Sequence, residues 1–358
     1  MKKEPAPGSR RATLKDVAER AGVSMMTVSR ILNGTSQGRP ETRAAVERAA
    51  RELDYHPNIA AKALVLTQKI HRIALLFDRP NAAAMGEIMA AIYAEAGPPD
   101  VRLIAMRICR DDDPRAALRM LRRRHVDGVI LPPPLCEDAR LRIVLGDGGI
   151  RIAGIGCGDG DTGFSSIGID DTRAAFELTS YLLRLGHRRI GFLSGHARHR
   201  SAARRRFGFE SALNGFGIQP DPALQWEGDG SFATAMRIAG QALSADPPPT
   251  AILASDDDLA AAALQSARER GIAVPRSLSV CGFDDGEVAR TLFPELTRID
   301  QWMGEMAGWG LRQLAGELAA VARGEVPAVR RATLDYRILF GGTDAPPVSA
   351  GQPFRMVS

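Results

Sequence analysis

Residues 13–34 read T-L-K-D-V-A-E-R-A-G-V-S-M-M-T-V-S-R-I-L-N-G, and their spacing predicts two short helices joined by a tight turn. Thr13 with Asp16 three residues later is an acidic N-terminal capping pattern. Val17, Ala18 and Ala21 fall on one face at helical spacing. Gly22 ends that helix, because it accepts a positive φ without Cβ strain. Val23 packs the turn, Ser24 caps a second helix over residues 25–32, and Asn33-Gly34 closes it. Two helices of eight residues around a glycine-containing turn make a helix-turn-helix.

The charge agrees with a head of this kind. Of 47 Lys+Arg and 42 Asp+Glu in the 358-residue chain, residues 1–65 hold 12 and 7, so 35 of each remain in the rest. The whole net charge of +5 therefore sits in the first fifth of the sequence. A small basic head on a neutral body suits a phosphate-backbone ligand, since each neutralised phosphate releases counterions. The head lacks the amphipathic Trp/Phe/Leu face that a membrane-surface tail needs. No apolar run approaches the ~18–20 residues that span a bilayer. The short basic start, residues 1–12, lacks the apolar segment of a secretory signal, so a flexible N-terminus and a cytoplasmic protein are expected. Cys109, Cys136, Cys157 and Cys281 are scattered without a C-x-x-C pair, which suggests neither a disulfide framework nor a zinc site.

From residue 72 the chain alternates short apolar runs with helical stretches. Ile73–Phe77, residues 101–105, 128–131 and 151–155 read as strands, with helices expected over 86–96 and 114–124. The rhythm repeats after Gly186 with strands over 189–193, 251–254 and 278–283. The fold class is α/β: a small all-α head, then two similar lobes each built on a parallel sheet. Ligands of open α/β sheets bind beyond the carboxyl ends of the strands, which makes the cleft between the lobes the default site.

The stretch from Thr13 to Gly34 resembles the opening of the LacI/GalR repressor family. The likeness continues through Glu41-Thr42-Arg43 and Val46, and through Tyr55-His56-Pro57-Asn58-Ile59-Ala60-Ala61-Lys62-Ala63-Leu64, which resembles the family's hinge. Leu185-Gly186-His187, Val280-Cys281-Gly282-Phe283-Asp284-Asp285 and Leu296-Thr297-Arg298-Ile299-Asp300-Gln301 resemble landmarks of its core. The resemblance implies a helix-turn-helix domain over 13–56, a hinge helix over 57–66, and a core over 72–342 similar to periplasmic sugar-binding proteins. It implies crossings between lobes near 185, 301 and 330. The first lobe is then about 72–185 plus 302–329, the second about 186–301 plus 330–342, and 343–358 a flexible end.

On this reading the second helix lies in the major groove with its N-terminal residues at base edges. Arg30 suits a bidentate contact to guanine. Ser24, Thr27, Ser29 and Asn33 suit phosphates, which set register. Leu14, Asn58 and Ala61 join the expected DNA contacts, and Leu64 occupies the place of the family's minor-groove wedge. Met25 and Met26 stand where the family usually carries a polar or aromatic reader, so they offer apolar contact only, or pack inside the head.

In the core, Asp171, Ser255, Asp284 and Gln301 follow strand ends, and Arg205 sits where the family carries its ligand-binding arginine. Phe232 is a candidate platform for a sugar face. These groups suit a hydroxyl-rich ligand, although Ser255 stands where the family more usually has asparagine. A metal at His196 and His199 is disfavoured by Arg198 and Arg200, and Asp256-Asp257-Asp258 reads as the opening of a helix. No cofactor is implied. The expectation is a ligand-responsive repressor: a homodimer on palindromic double-stranded DNA, with a sugar effector. A sugar receptor without DNA function and an α/β enzyme with an accessory head are the alternatives.

Overall fold

The computed structural model describes residues 12–32, 39–55, 70–78, 82–95, 101–109, 112–157, 163–196, 199–284 and 292–348. The chain divides into two compact units, residues 1–70 and 71–358. The hinge over 57–66, with Asn58, Ala61 and Leu64, lies outside the described residues, as does Asn33.

The head contains α1 (Leu14–Ala21), α2 (Met25–Leu32) and α3 (Pro40–Glu52). Thr13 and Asp16 form a reciprocal capping box, with the Asp16 carboxylate accepting the Thr13 N–H at 2.7 Å. Gly22 takes φ +66° and ends α1. Val17, Ala18, Val28, Ile31, Val46 and Ala49 form one core across the three helices. An Arg20–Glu52 ion pair at 2.7 Å ties α1 to the end of α3.

The body holds two six-stranded sheets. The first contains β1 (His71–Phe77), β2 (Val101–Arg107), β3 (Gly128–Leu131), β4 (Arg151–Ile155), β5 (Ser165–Gly168) and β11 (Arg331–Thr333). Its order is β11-β5-β4-β3-β1-β2, parallel throughout. Around it lie α4 (Ala82–Glu95), α5 (Pro114–Arg123), α6 (Ala139–Asp147) and α11 (Met303–Ala322). The second sheet has β6 (Ile190–Ser194), β7 (Gln225–Glu227), β8 (Ala251–Ala254), β9 (Ser279–Phe283), β10 (Thr297–Asp300) and β12 (Arg337–Leu339). Its order is β12-β10-β9-β8-β6-β7, with β12 alone antiparallel. Helices α7 (Asp171–Arg184), α8 (Arg200–Gly215), α9 (Phe232–Leu243) and α10 (Asp257–Glu269) cover it.

Apart from the edge strand β2, the apolar runs are strands buried on both faces, which is why they read as continuous rather than alternating. In β1, Ile73 and Leu75 enter one cluster while Ala74 and Leu76 enter the other. In β8, Ala251 and Leu253 face one way, Ile252 and Ala254 the other.

Two of the expected crossings lie elsewhere. The first crossing lies at the β5–α7 turn, not near 185, because α7 packs on α8 of the second lobe. Gly208 lets them approach: a Cβ there would strike the Thr172 carbonyl and the Ala175 side chain. The third crossing falls between β11 and β12, over 334–336, because β11 completes the first sheet beside β5. That three-residue edge strand is held by backbone pairing with largely exposed side chains, so it has no apolar signature. Between β10 of the second sheet and α11 beside the first, the chain passes through Gln301.

Of the end expected to be loose over 343–358, Thr343–Ala345 are instead bound, and residues 349–358 lie outside the described residues. Thr343 is fully buried, donates to the Val280 carbonyl at 2.7 Å and accepts the Thr297 N–H at 3.0 Å. Asp344 accepts from the Tyr181 hydroxyl at 2.5 Å. The Ala345 carbonyl accepts from His187 Nε2 at 2.9 Å and from the Ser279 hydroxyl at 3.0 Å.

Candidate nucleic-acid interface and ligand cleft

In the head, α2 turns Val28 and Ile31 inward and leaves its opposite face open. Ser24 caps the helix by accepting the Thr27 N–H at 3.1 Å, and the two hydroxyls lie 2.9 Å apart. Met25 and Met26 are 52% and 65% exposed, so neither packs inside. Arg30 is exposed on the same face, and Ser29 is half-buried. Leu14 differs from the other candidates: it packs, partly buried, against the head's own core.

In the body, a cavity of about 210 Å³ opens between the lobes. Arg205, from within α8, and Ser255, Asp284 and Gln301, each after a strand end, line it. Arg205 organises them. Its Nε donates to Asp171 Oδ1 at 2.8 Å, Nη1 to the Ser255 carbonyl at 2.5 Å, and Nη2 to Gln301 Oε1 at 3.1 Å. The guanidinium also lies over the Phe283 ring at 4.3 Å, a cation–π contact. Burial alone would weaken its hold on the proton, but Asp171 and Asp284 outweigh that and strengthen it. Gln301 in turn donates to Asp284 Oδ1.

Two expected ligand residues do not line the cavity. Asp171 is buried behind it, where it holds Arg204 and Arg205, each at 2.8 Å. Phe232 begins α9, is 51% exposed, and lies outside the cavity lining. The Ser255 hydroxyl is engaged locally, accepting the Gly195 N–H at 2.7 Å.

Other lining residues carried no sequence signal of their own. Asp256 does open a helix, accepting the Leu259 N–H at 2.8 Å, and it also faces the cavity. Burial pushes its carboxyl up to about 7, with Asp284 and Asp258 adding to the shift and Arg205 opposing it. Asp284 is raised too, chiefly by burial, and sits at φ +82°. Phe77, Met85, Ile88, Pro132, Pro133 and Met303 form an apolar wall from the first lobe. Glu137, in a turn of 3-10 helix over Leu135–Glu137, reaches the start of α8 in the second lobe.

The head and core also match known proteins. The pattern described as "Bacterial regulatory proteins, lacI family" matches residues 13–58, and "Periplasmic binding protein-like domain" matches 179–338. The HTH-type transcriptional regulator DegA of Bacillus subtilis is 33% identical over 302 residues, spanning 83% of this chain and 88% of DegA. The chain belongs to the lacI family of bacterial regulatory proteins. It is a DNA-binding transcriptional regulator, and the receptor and enzyme alternatives fall.

Among other lacI-family relatives, the HTH-type transcriptional repressor PurR of Serratia proteamaculans is 33% identical over 304 residues, spanning 83% of this chain and 88% of PurR. A lac repressor dimer bound to operator and the anti-inducer ONPF superposes with a TM-score of 0.77 at 29% identity, covering 94% of this chain and all of that one. A transcriptional regulator CelR–cellobiose complex gives 0.69 at 27% identity, covering 93% and all. Among the described residues, no helix is long and apolar enough to cross a membrane.

Proposed function

We propose that this regulator is a repressor that acts as a homodimer on a palindromic operator, and that a small ligand, a sugar, in the interlobe cleft controls its operator affinity. A two-fold dimer presents two heads to mirrored half-sites in successive major grooves. The exposed face of α2, with Met25, Met26, Ser29 and Arg30, is the reading surface. Arg30 carries polar readout, and the methionines favour thymine methyls.

The observation that carries the ligand reading is the hold of Arg205 on Gln301. Arg205 lines the cavity, and Gln301 stands at the second crossing between lobes. A ligand that rearranges this pair changes the crossing itself, and it acts only through different affinity for the two lobe arrangements. The sugar-binding relatives, CelR with cellobiose among them, support the class of ligand.

The test is retardation of DNA from the gene's own upstream region, repeated with a panel of sugars. Affinity should fall steeply with salt, and one sugar should change it. A chain that binds no upstream fragment better than random DNA is not such a repressor. A chain whose DNA affinity no sugar alters is not sugar-controlled.

A further inference from the structure

The cavity has two unlike walls. On the second-lobe side the described lining carries Asp256, Asp257 and Asp284, and Asp78 adds a fourth carboxylate from the first lobe. Arg205 is the one Lys or Arg among the described lining residues, and it is already committed to Asp171, to the Ser255 carbonyl and to Gln301. Its charge is shared with Asp171, which lies outside the cavity, and with Asp284 at 3.7 Å. Among the described lining residues, four carboxylates thus face one Lys or Arg, beside the hydroxyls of Ser201 and Ser255 and the ring of His199. The facing wall, from Phe77, Met85, Ile88, Pro132, Pro133 and Met303, offers apolar surface.

We infer that the effector is a ring-sized polyol bearing a protonated amine, such as an amino sugar, with its amine toward Asp256 and Asp284 and its less polar face on the first-lobe wall. The inference deepens the ligand reading above and rests on it.

A ligand facing carboxylates gains by donating, and an ammonium donates three hydrogen bonds while bringing positive charge. Burial raises the proton affinity of both Asp256 and Asp284, and neighbouring carboxylates add to it, so a cation between them lets both stay ionised. A carboxylate or phosphate ligand would instead add like charge in a recessed site, where screening is weak. Size limits the scaffold: at about 210 Å³ the cavity falls below the ~300–1,000 Å³ of pockets for drug-sized ligands, which favours a small, single-ring ligand.

The experiment is calorimetric titration of the full chain with hexose epimers, their 2-amino counterparts and their uronic acids, checked by thermal shift. The strongest ligand should be an amine member, binding about tenfold or more tightly than its hydroxyl counterpart, because charge-assisted hydrogen bonds are roughly twice as strong as neutral ones. Uronic acids should not bind. Asp256→Asn should bring the amine-to-hydroxyl ratio close to one, and Asp284→Asn should reduce it. The assignment is overturned if a neutral sugar matches its amine, if an acid binds best, or if no member binds. Operator retardation by the same preparation separates these outcomes. A chain that binds its operator and responds to a neutral or acidic sugar keeps the repressor reading and loses only this one.

Discussion

The carboxylate of Glu137, in the first lobe, accepts the backbone N–H of Arg200, at the start of a second-lobe helix, at 2.6 Å. The same carboxylate accepts the Ser201 N–H at 3.0 Å and lies 3.5 Å from the Arg204 guanidinium, with its side chain only 4% exposed. His199, the residue preceding α8, makes no side-chain cap bond, so the cap comes from the other lobe. This is the helix that carries Arg205, and Arg204 links Glu137 to Asp171. A lobe-to-lobe tie therefore ends on the element that faces the ligand.

Removing that tie should open the cleft. Glu137→Ala deletes two capping bonds and one charge contact, at a cost of roughly 1–3 kcal/mol to the present lobe arrangement. Small-angle scattering of the ligand-free protein should show a larger radius of gyration, and effector affinity should fall by about tenfold or more. An unchanged radius and unchanged affinity would show that Glu137 does not hold the lobes together.

Arg30→Ala should relax operator specificity rather than abolish binding. Loss of one bidentate base contact costs about 1–3 kcal/mol against a single base pair, while the phosphate contacts that set the salt dependence remain. Binding to operators mutated one base pair at a time measures this. Equal loss on every sequence would place Arg30 on the backbone.

Asp256→Asn should change how stability depends on pH. With its carboxyl held up to about 7 in the folded chain against an ordinary 3.8, the folded state keeps a proton that the unfolded state has released. Its contribution to stability therefore declines as pH rises between about 4 and 7. Asparagine retains the helix cap and removes the titration. The variant's melting temperature should gain on the wild type across that window and hold its advantage above it. Parallel curves for the two proteins would refute this.

Ending the chain at Gly342 should destabilise the second lobe. It strips partners from the buried Thr297 N–H and from both backbone groups of Val280, and frees His187 from Ala345. At about 1–3 kcal/mol for each buried polar group left unsatisfied, the melting temperature should drop by several degrees. No change would mean that the contacts of Thr343–Ala345 add nothing to stability.

Much of the architecture was readable in the chain because it depends on neighbours in sequence. The Thr13–Asp16 capping box, the left-handed Gly22 and the Ser24 cap involve residues three or four positions apart or less. Fully buried strands such as Ile73–Phe77 announce themselves as apolar runs. The positions of Ser255, Asp284 and Gln301 follow from the rule that open sheets bind ligands beyond their strand ends, and that of Arg205 from the family resemblance.

What the chain alone did not disclose depends on residues distant in sequence. Asp256 reads as a helix opener from its neighbours, and only the approach of α8 and β9 turns it into a cavity wall. Phe232 looks like a stacking ring, yet the direction of α9 leaves it in solvent. Glu137 sits in a run with no motif, and its partner lies 63 residues away.

The sequence by itself determined the head, the parallel sheets and membership in a family of DNA-binding regulators, because local capping and burial periodicity are written in adjacent residues. The tertiary structure alone decided where the lobes exchange chain, what lines the cleft and where the C-terminal segment is pinned. Those contacts join residues far apart in the chain, and their geometry exists only after the sheets and helices have packed.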